Sequence, residues 1–133
     1  MIEIKNCSKA FGKIQAVNKV TMDIGEREVF GLIGSNGAGK TSTLSAISNI
    51  TKKTSGRITF KGQDITHAKI RARKDSGIGL IPEDRHRDGL VLQYSVADNL
   101  VLGLHYQAPY AKGRAWLDPK AIHKNAEALQ KDF

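Results

Sequence analysis

The octapeptide Gly34-Ser35-Asn36-Gly37-Ala38-Gly39-Lys40-Thr41 restricts this chain more than any other stretch. Its glycines tolerate backbone conformations that other residues resist, so the chain can turn sharply there. Ahead of it stands the apolar run Val29-Phe30-Gly31-Leu32-Ile33. That run is too short for a helix and has no polar alternation, which predicts a strand buried on both faces. Behind it Leu44, Ile47 and Ile50 recur at helical spacing, predicting a helix over 41–50 that Lys52, Lys53, Ser55 and Gly56 end. Strand, glycine loop and helix in that order predict an α/β fold.

The rest of the chain supports a mixed sheet. Ile2 to Cys7 and Ile14 to Ile24 alternate apolar with polar residues (Ile2, Ile4; Val17, Val20, Met22, Ile24), predicting two antiparallel half-buried strands joined to the central run by a turn at Gly25-Glu26-Arg27. Arg57 to Phe60 reads as a short strand and His67 to Lys74 as a basic helix. Ile78-Gly79-Leu80-Ile81 predicts a second apolar strand, stopped by Pro82. Ser95 with Asp98 three residues later has the form of a helix cap, and Val96, Leu100, Val101 and Leu104 share a helical face, predicting a helix over 95–105. Gln107 to Trp116 lacks periodicity and is expected to be a surface loop. Asp118-Pro119 then opens a last helix, with Ile122, Ala126, Leu129 and Phe133 on its apolar face. That stripe still runs at Phe133, with no glycine or basic last turn to close it, the pattern expected of a truncated domain.

The 133 residues, 40% of them hydrophobic, are about enough for one modest core. Cys7 has no second cysteine to pair with and no histidine or cysteine at metal-ligand spacing, so it reads as core filler in a reducing compartment. A net charge of +8 raises nucleic acid or an anionic surface as partners. The basic residues are scattered, however (Lys52, Lys53, Lys61, Lys69, Arg71, Arg73, Lys74, Arg85, Arg87), without aromatic interleaving. A solvated basic surface and no nucleic-acid partner are expected.

The octapeptide fits G-x-x-x-x-G-K-[ST] at every fixed position, and strand before with helix after is the context that motif requires. Glycines let successive N–H groups close around phosphates, and a helix N-terminus adds its positive dipole end. Ser35, Asn36, Gly37, Ala38 and Gly39 are thus expected to cradle the phosphates of a nucleoside triphosphate, ATP with Mg2+. Lys40 should reach the β- and γ-phosphates, the Thr41 hydroxyl a magnesium ion, and Ser42 the α-phosphate. Without an anion, Lys40 would stand at the unfavourable end of the helix dipole, at a cost of about 0.3–1 kcal/mol.

With Gly25-Glu26 ahead of it, the stretch Asn36-Gly37-Ala38-Gly39-Lys40-Thr41-Ser42 resembles the nucleotide-binding subunit of an ABC transporter. Phe11-Gly12, Ser55-Gly56-Arg57-Ile58, Gly62-Gln63-Asp64-Ile65, Ile81-Pro82-Glu83-Asp84-Arg85, Ser95-Val96 and Asn99-Leu100 extend the resemblance over essentially the whole chain. It is similar to bacterial importers of nucleosides, simple sugars or branched-chain amino acids. The resemblance implies a P-loop NTPase fold of the ABC nucleotide-binding type, with an N-terminal antiparallel β part. It implies a nucleotide-binding core over 1–80, and a Q-loop-like segment with the start of a helical subdomain over 81–133. It also implies that Phe11 stacks on adenine, and that Glu83 stands where most of the family carries a glutamine touching magnesium and the attacking water. Lys40 and Glu83 are the catalytic candidates, and Thr41 and Glu83 the metal ligands. Permease subunits and a second nucleotide-binding domain are the implied partners, at the cytoplasmic face of the cell membrane. Within the resemblance, residues 1–70 match an active half, and 77–133, with Asp84-Arg85-His86-Arg87-Asp88-Gly89-Leu90, match the partner half of a nucleoside importer.

The chain contains no Leu-Ser-Gly-Gly-type signature and no apolar strand ending in Asp-Glu. His67, His86, His105 and His123 fall in apparent helices or loops and Gln93 in loop surface. Phosphoryl transfer needs a positioned water and charge stabilisation beyond a phosphate cradle. These residues alone are expected to bind ATP and to hydrolyse it poorly or not at all. Two other readings stay open: a non-hydrolysing nucleotide-binding fragment or engineered module, and another P-loop enzyme such as a small GTPase or kinase, although no Asn-Lys-x-Asp guanine reader is present.

Overall fold

A computed structural model describes residues 1–113 and 116–132. The chain divides into two units, Met1–Leu80 and Ile81–Phe133. In the first, β1 (Ile2–Phe11) and β2 (Ile14–Ile24) form an antiparallel hairpin. They are followed by α1 (Lys40–Ile47), β3 (Ser55–Phe60), β4 (Gln63–Asp64) and α2 (Ile70–Asp75). The sheet order is β2-β1-β3-β4, antiparallel throughout, so β1 is an inner strand with β2 and β3 on its two sides.

One face of this sheet is apolar because the strands alternate in phase. Ile4 stands opposite Met22 on one side and Ile58 on the other, and these residues meet Ala46 and Ile47 of α1 with Ile65 in a single core. The alternation breaks after Ile4. Asn6 takes a left-handed backbone (φ 50°), its N–H donates to Thr21 Oγ1 at 3.0 Å, and the register shifts. Such a bulge reverses which side chains point inward. Cys7, odd in a strand whose even residues face the core, is buried there as the filler expected of it. β3 comes so close to the bulge that a Cβ on Gly56 (φ 96°) would lie 2.5 Å from Asn6 O and Cys7 Cα, so only glycine fits.

Two strand expectations fail. Val29–Ile33 and Ile78–Ile81 form no strands; Val29 and Ile33 are almost fully exposed, and Ile81 is 84% exposed. An apolar run becomes a strand only when neighbours take its N–H and C=O groups. The four-stranded ladder includes neither segment. The buried side of α1 also differs from the expected one: Thr43, Ala46 and Ile47 are buried, whereas Leu44 and Ile50 are exposed. The predicted 67–74 helix starts later, at Ile70.

Arg73, read from the sequence as surface charge, is 1% exposed. Its guanidinium donates to Ala46 O (3.0 Å), Ile47 O (2.5 Å), Thr66 O (3.1 Å) and Ala68 O (3.1 Å). The last carbonyls of a helix lack intrahelical partners and carry its negative dipole end, so a cation with forked donors suits them. Burial pushes its pKa down from the ordinary arginine value. The spacing of basic residues carries no sign of this role, because the acceptors are backbone carbonyls, two of them, Ala46 O and Ile47 O, far away in sequence.

The second unit holds α3 (Arg85–Asp88), α4 (Val96–Leu100), β5 (Ala111–Lys112), β6 (Trp116–Leu117) and α5 (Pro119–Asp132). The Ser95 cap forms as expected, its hydroxyl accepting from Asp98 N–H at 3.1 Å, but α4 stops at Leu100. Of its predicted face only Val101 is buried. The expected loop over 107–116 carries one side of a short hairpin, Ala111 opposite Leu117 and Lys112 opposite Trp116, with Arg114 and Ala115 outside the described residues. Asp118 Oδ1 accepts from the N–H groups of Lys120 and Ala121, capping α5 as its sequence predicts. Ile122 is 5% exposed and Ala126 and Leu129 are half-buried, whereas Phe133 lies outside the described residues. No helix among the described residues is long and apolar enough to cross a membrane.

Candidate functional site

The glycine loop lies between irregular backbone and α1, and it is built against the hairpin. Gly37 and Gly39 have φ near 85° and 83°, a region that side-chain-bearing residues resist. A Cβ on Gly39 would sit 2.2 Å from Ala16 O and 3.5 Å from Val17 Cγ2, so the loop rests directly on β2. Ala38 N–H donates to Ser35 O at 3.1 Å, closing a turn within the loop. A Cβ on Gly34 would meet that of Ala38 at 2.9 Å. Both ends of the motif therefore need glycine for steric reasons.

Lys40 folds back over the loop, its Nζ donating to Gly34 O at 2.7 Å and Ser35 O at 2.9 Å. This modifies the dipole argument: loop carbonyls give the ammonium acceptors, so its placement at the start of α1 does not by itself require an anion. Thr41 is exposed and Ser42 half-buried, in the first turn of α1, where helix geometry leaves N–H groups without intrahelical acceptors. Ser35, Asn36, Gly37 and Ala38 are exposed. Thr43, which sequence reasoning passed over, is buried and donates from both its N–H and its hydroxyl to Gly39 O at 2.9 Å. It ties the helix to the last loop glycine. A threonine three residues after the motif lysine was the available signal, but its spacing alone does not distinguish a back-bonded hydroxyl from a solvated one.

Phe11 ends β1 opposite Ile14 and is 49% exposed. It belongs to the same unit as the loop. Glu83 belongs to the second unit, exposed between Pro82 and the capping Asp84, whose carboxylate accepts from Arg87 N–H at 3.0 Å. The structure thus gathers the residues from Ser35 to Ser42 on one unit with Phe11, and sets Glu83 in the other. Arg87 also pairs with Asp88 at 2.8 Å, and the pairing holds the Asp88 carboxyl below the ordinary carboxylate range. Asn99, known from sequence only as part of a resemblance, joins backbone groups of Val91, Tyr94 and Ser95 through its amide. The four histidines and Gln93 are exposed.

As a test of fit for ATP and magnesium, the steric need for glycine at 34 and 39 keeps side chains out of the loop, and a lysine amine lies against two loop carbonyls, those of Gly34 and Ser35. The exposed Thr41 hydroxyl is a hard oxygen donor of the kind magnesium prefers. The residues suit the group.

This arrangement of sheet, glycine loop and helix is that of an ATP-binding cassette. A dimeric bacterial ABC transporter cassette superposes on 98% of this chain and 56% of its own with a TM-score of 0.75 at 23% identity. A dimeric post-hydrolysis cassette bound to ADP and phosphate does so over 98% and 56% with a TM-score of 0.74 at 22% identity. The chain belongs to the ABC transporter family, whose pattern matches residues 17–132. It is 36% identical over 135 residues to the nucleoside import ATP-binding protein NupA of Lactococcus lactis, spanning all of this chain and 26% of that protein. It is 35% identical over 120 residues to the guanosine import ATP-binding protein NupO of Bacillus subtilis, spanning 90% and 23%. The chain thus spans about a quarter of the length of these curated relatives.

Proposed function

We propose that this chain is the N-terminal nucleotide-binding portion of the ATPase subunit of an ABC importer, and that it binds ATP through Ser35–Ser42. The observation that carries this reading is the loop itself, glycine-only at both ends, seated on β2, with Lys40 turned into its carbonyls. On binding, Lys40 would exchange those carbonyls for phosphate oxygens, and the loop and first-turn N–H groups would donate to the rest. Thr41 is assigned to magnesium, which when bound would supply positive charge on the phosphate oxygens, and Glu83 keeps the metal-binding role that the family resemblance implies for its position. Phe11 is assigned to the adenine. Residues 1–80 are read as the nucleotide-binding core with its β part, and 81–133 as a Q-loop-like segment with the start of a helical subdomain.

For the whole protein, the import relatives support uptake of a nucleoside or simple sugar, permease subunits and a second nucleotide-binding domain as partners, and a place at the cytoplasmic face of the membrane. The test is titration of the chain with a fluorescent ATP analogue, with and without magnesium, beside Lys40→Ala. A charge-assisted contact of this kind is worth about 1.5–3 kcal/mol, so affinity should fall roughly 10- to 100-fold. Unchanged binding in Lys40→Ala would remove the site assignment. Steady phosphate release that disappears in Lys40→Ala would add turnover; binding without release would leave a nucleotide-binding module.

A further inference from the structure

Lys9 is the residue whose contacts the phosphate-loop reading does not use. Its Nζ stands 4.5 Å from the centroid of the Phe11 ring and donates to Lys52 O at 2.8 Å. The ammonium is therefore fixed from two directions, by a carbonyl and by an aromatic face. The backbone around it is tied as well: Thr54 N–H donates to Ser8 O at 2.8 Å, and Ala10 N–H to Thr54 Oγ1 at 3.0 Å. The end of β1 is thus clamped to the segment after α1, and Lys9 is part of that clamp.

The same residue relates Phe11 to the phosphate loop. Lys9 pairs across the hairpin with Val17, and Val17 with Ala16 is the floor on which Gly39 rests. Phe11 lies two residues further along the strand, past a register shift at Lys9 and Ala10, at most about 7 Å away along the chain. A ligand whose phosphates sit in the loop can therefore extend a flat group over the ring. Lys9 lies over one face of that ring, and Phe11 as a residue is 49% exposed. A cation on one face also draws electron density from the ring and makes the other face less negative, which lowers the repulsion against the π-face of a stacked base.

Resting on the nucleotide-binding reading above, we infer that Lys9 is a positioning residue for the nucleotide base: it holds the Phe11 ring from behind so that a purine stacks on the free face. Lys9 takes no part in holding the phosphates.

The experiment compares ATP with inorganic tripolyphosphate, which has no base, in competition against a fluorescent ATP analogue. Lys9→Gln keeps a donor for Lys52 O and removes the cation; Lys9→Arg keeps the cation. In Lys9→Gln, ATP affinity should fall roughly two- to five-fold, the size of an exposed cation–π contact, while tripolyphosphate affinity stays at the wild-type value. Lys9→Arg should restore ATP binding. In a Phe11→Leu background, Lys9→Gln should add nothing further. Equal loss for both ligands would overturn the inference, since the lysine would then act on phosphates or on the loop, and so would ATP binding in Lys9→Gln equal to wild type. If Lys9→Gln does not fold, as judged by circular dichroism, the inference stands or falls on Lys9→Arg in the wild-type and Phe11→Leu backgrounds: an arginine effect on ATP that persists without the ring overturns it. Lys40→Ala in the same assay separates the two readings. If it retains both ligands, the phosphate-loop assignment fails; if it loses both while Lys9→Gln binds ATP like wild type, only the role of Lys9 fails.

Discussion

The strand Ile2–Phe11 and the run Val29–Ile33 both carry the aliphatic residues that strands favour, and they have opposite fates. β1 has a neighbour on each side, and its residues Ile4 and Cys7 are sealed against α1 and β3. The second run, more apolar residue for residue, has no ladder partner and leaves Val29 and Ile33 in water. The difference lies in the surroundings: side-chain hydrophobicity stabilises a strand only where another element covers it, and the backbone groups need acceptors and donors before any apolar surface can be buried.

The comparison is open to test, and the largest effect belongs to the covered strand system. Ile58, fully buried opposite Ile4, should cost about 2–5 kcal/mol when cut to alanine, measured by denaturant unfolding, because its methyl groups leave a cavity between sheet and helix. A loss below about 1 kcal/mol would mean that the sheet core carries little of the stability. A smaller effect is expected at the sheet edge. The Thr66 hydroxyl and N–H, helped by Arg57, hold the Asp64 carboxyl down at about 2. A depressed carboxylate contributes stability above its unfolded pKa of about 3.9, and that contribution is lost as pH falls through the folded value. Between about pH 4 and pH 2, stability should decline less steeply in Asp64→Asn than in wild type. Identical slopes would show that the edge contact is not felt in folding. The smallest change should come from the uncovered run. Val29→Ser removes side-chain surface that is 99% exposed and should shift stability by no more than about 0.5 kcal/mol. A loss comparable to that of Ile58→Ala would show that the run is covered in solution.

The backbone of the glycine loop was more legible than the strands around it. Gly34 and Gly39 were identifiable because their need for glycine is local, a backbone that must turn where a Cβ would collide, whereas the carbonyls that Lys40 reaches were not foreseen. The caps at Ser95 and Asp118 were legible for the same reason, their partners lying within three residues. Arg73 was misread because its partners at Ala46 and Ile47 are 27 and 26 residues away, and a charge pattern holds no information about distant carbonyls. Lys9 over Phe11 was missed although the two lie on one strand, because whether a lysine two residues away covers a ring or extends into solvent depends on the bulges of that strand and on Lys52.

By itself the sequence determined the antiparallel hairpin, the glycine loop and the helix behind it, consequences of short-range periodicity or of glycine's freedom, and its motifs carried the resemblance to ABC transporter cassettes. Only the tertiary structure decided which apolar runs become strands, that Cys7 turns inward at a bulge, that Arg73 closes the end of α1, and that Gly39 rests on Ala16. Those outcomes depend on contacts between segments distant along the chain, which local patterning permits but does not select.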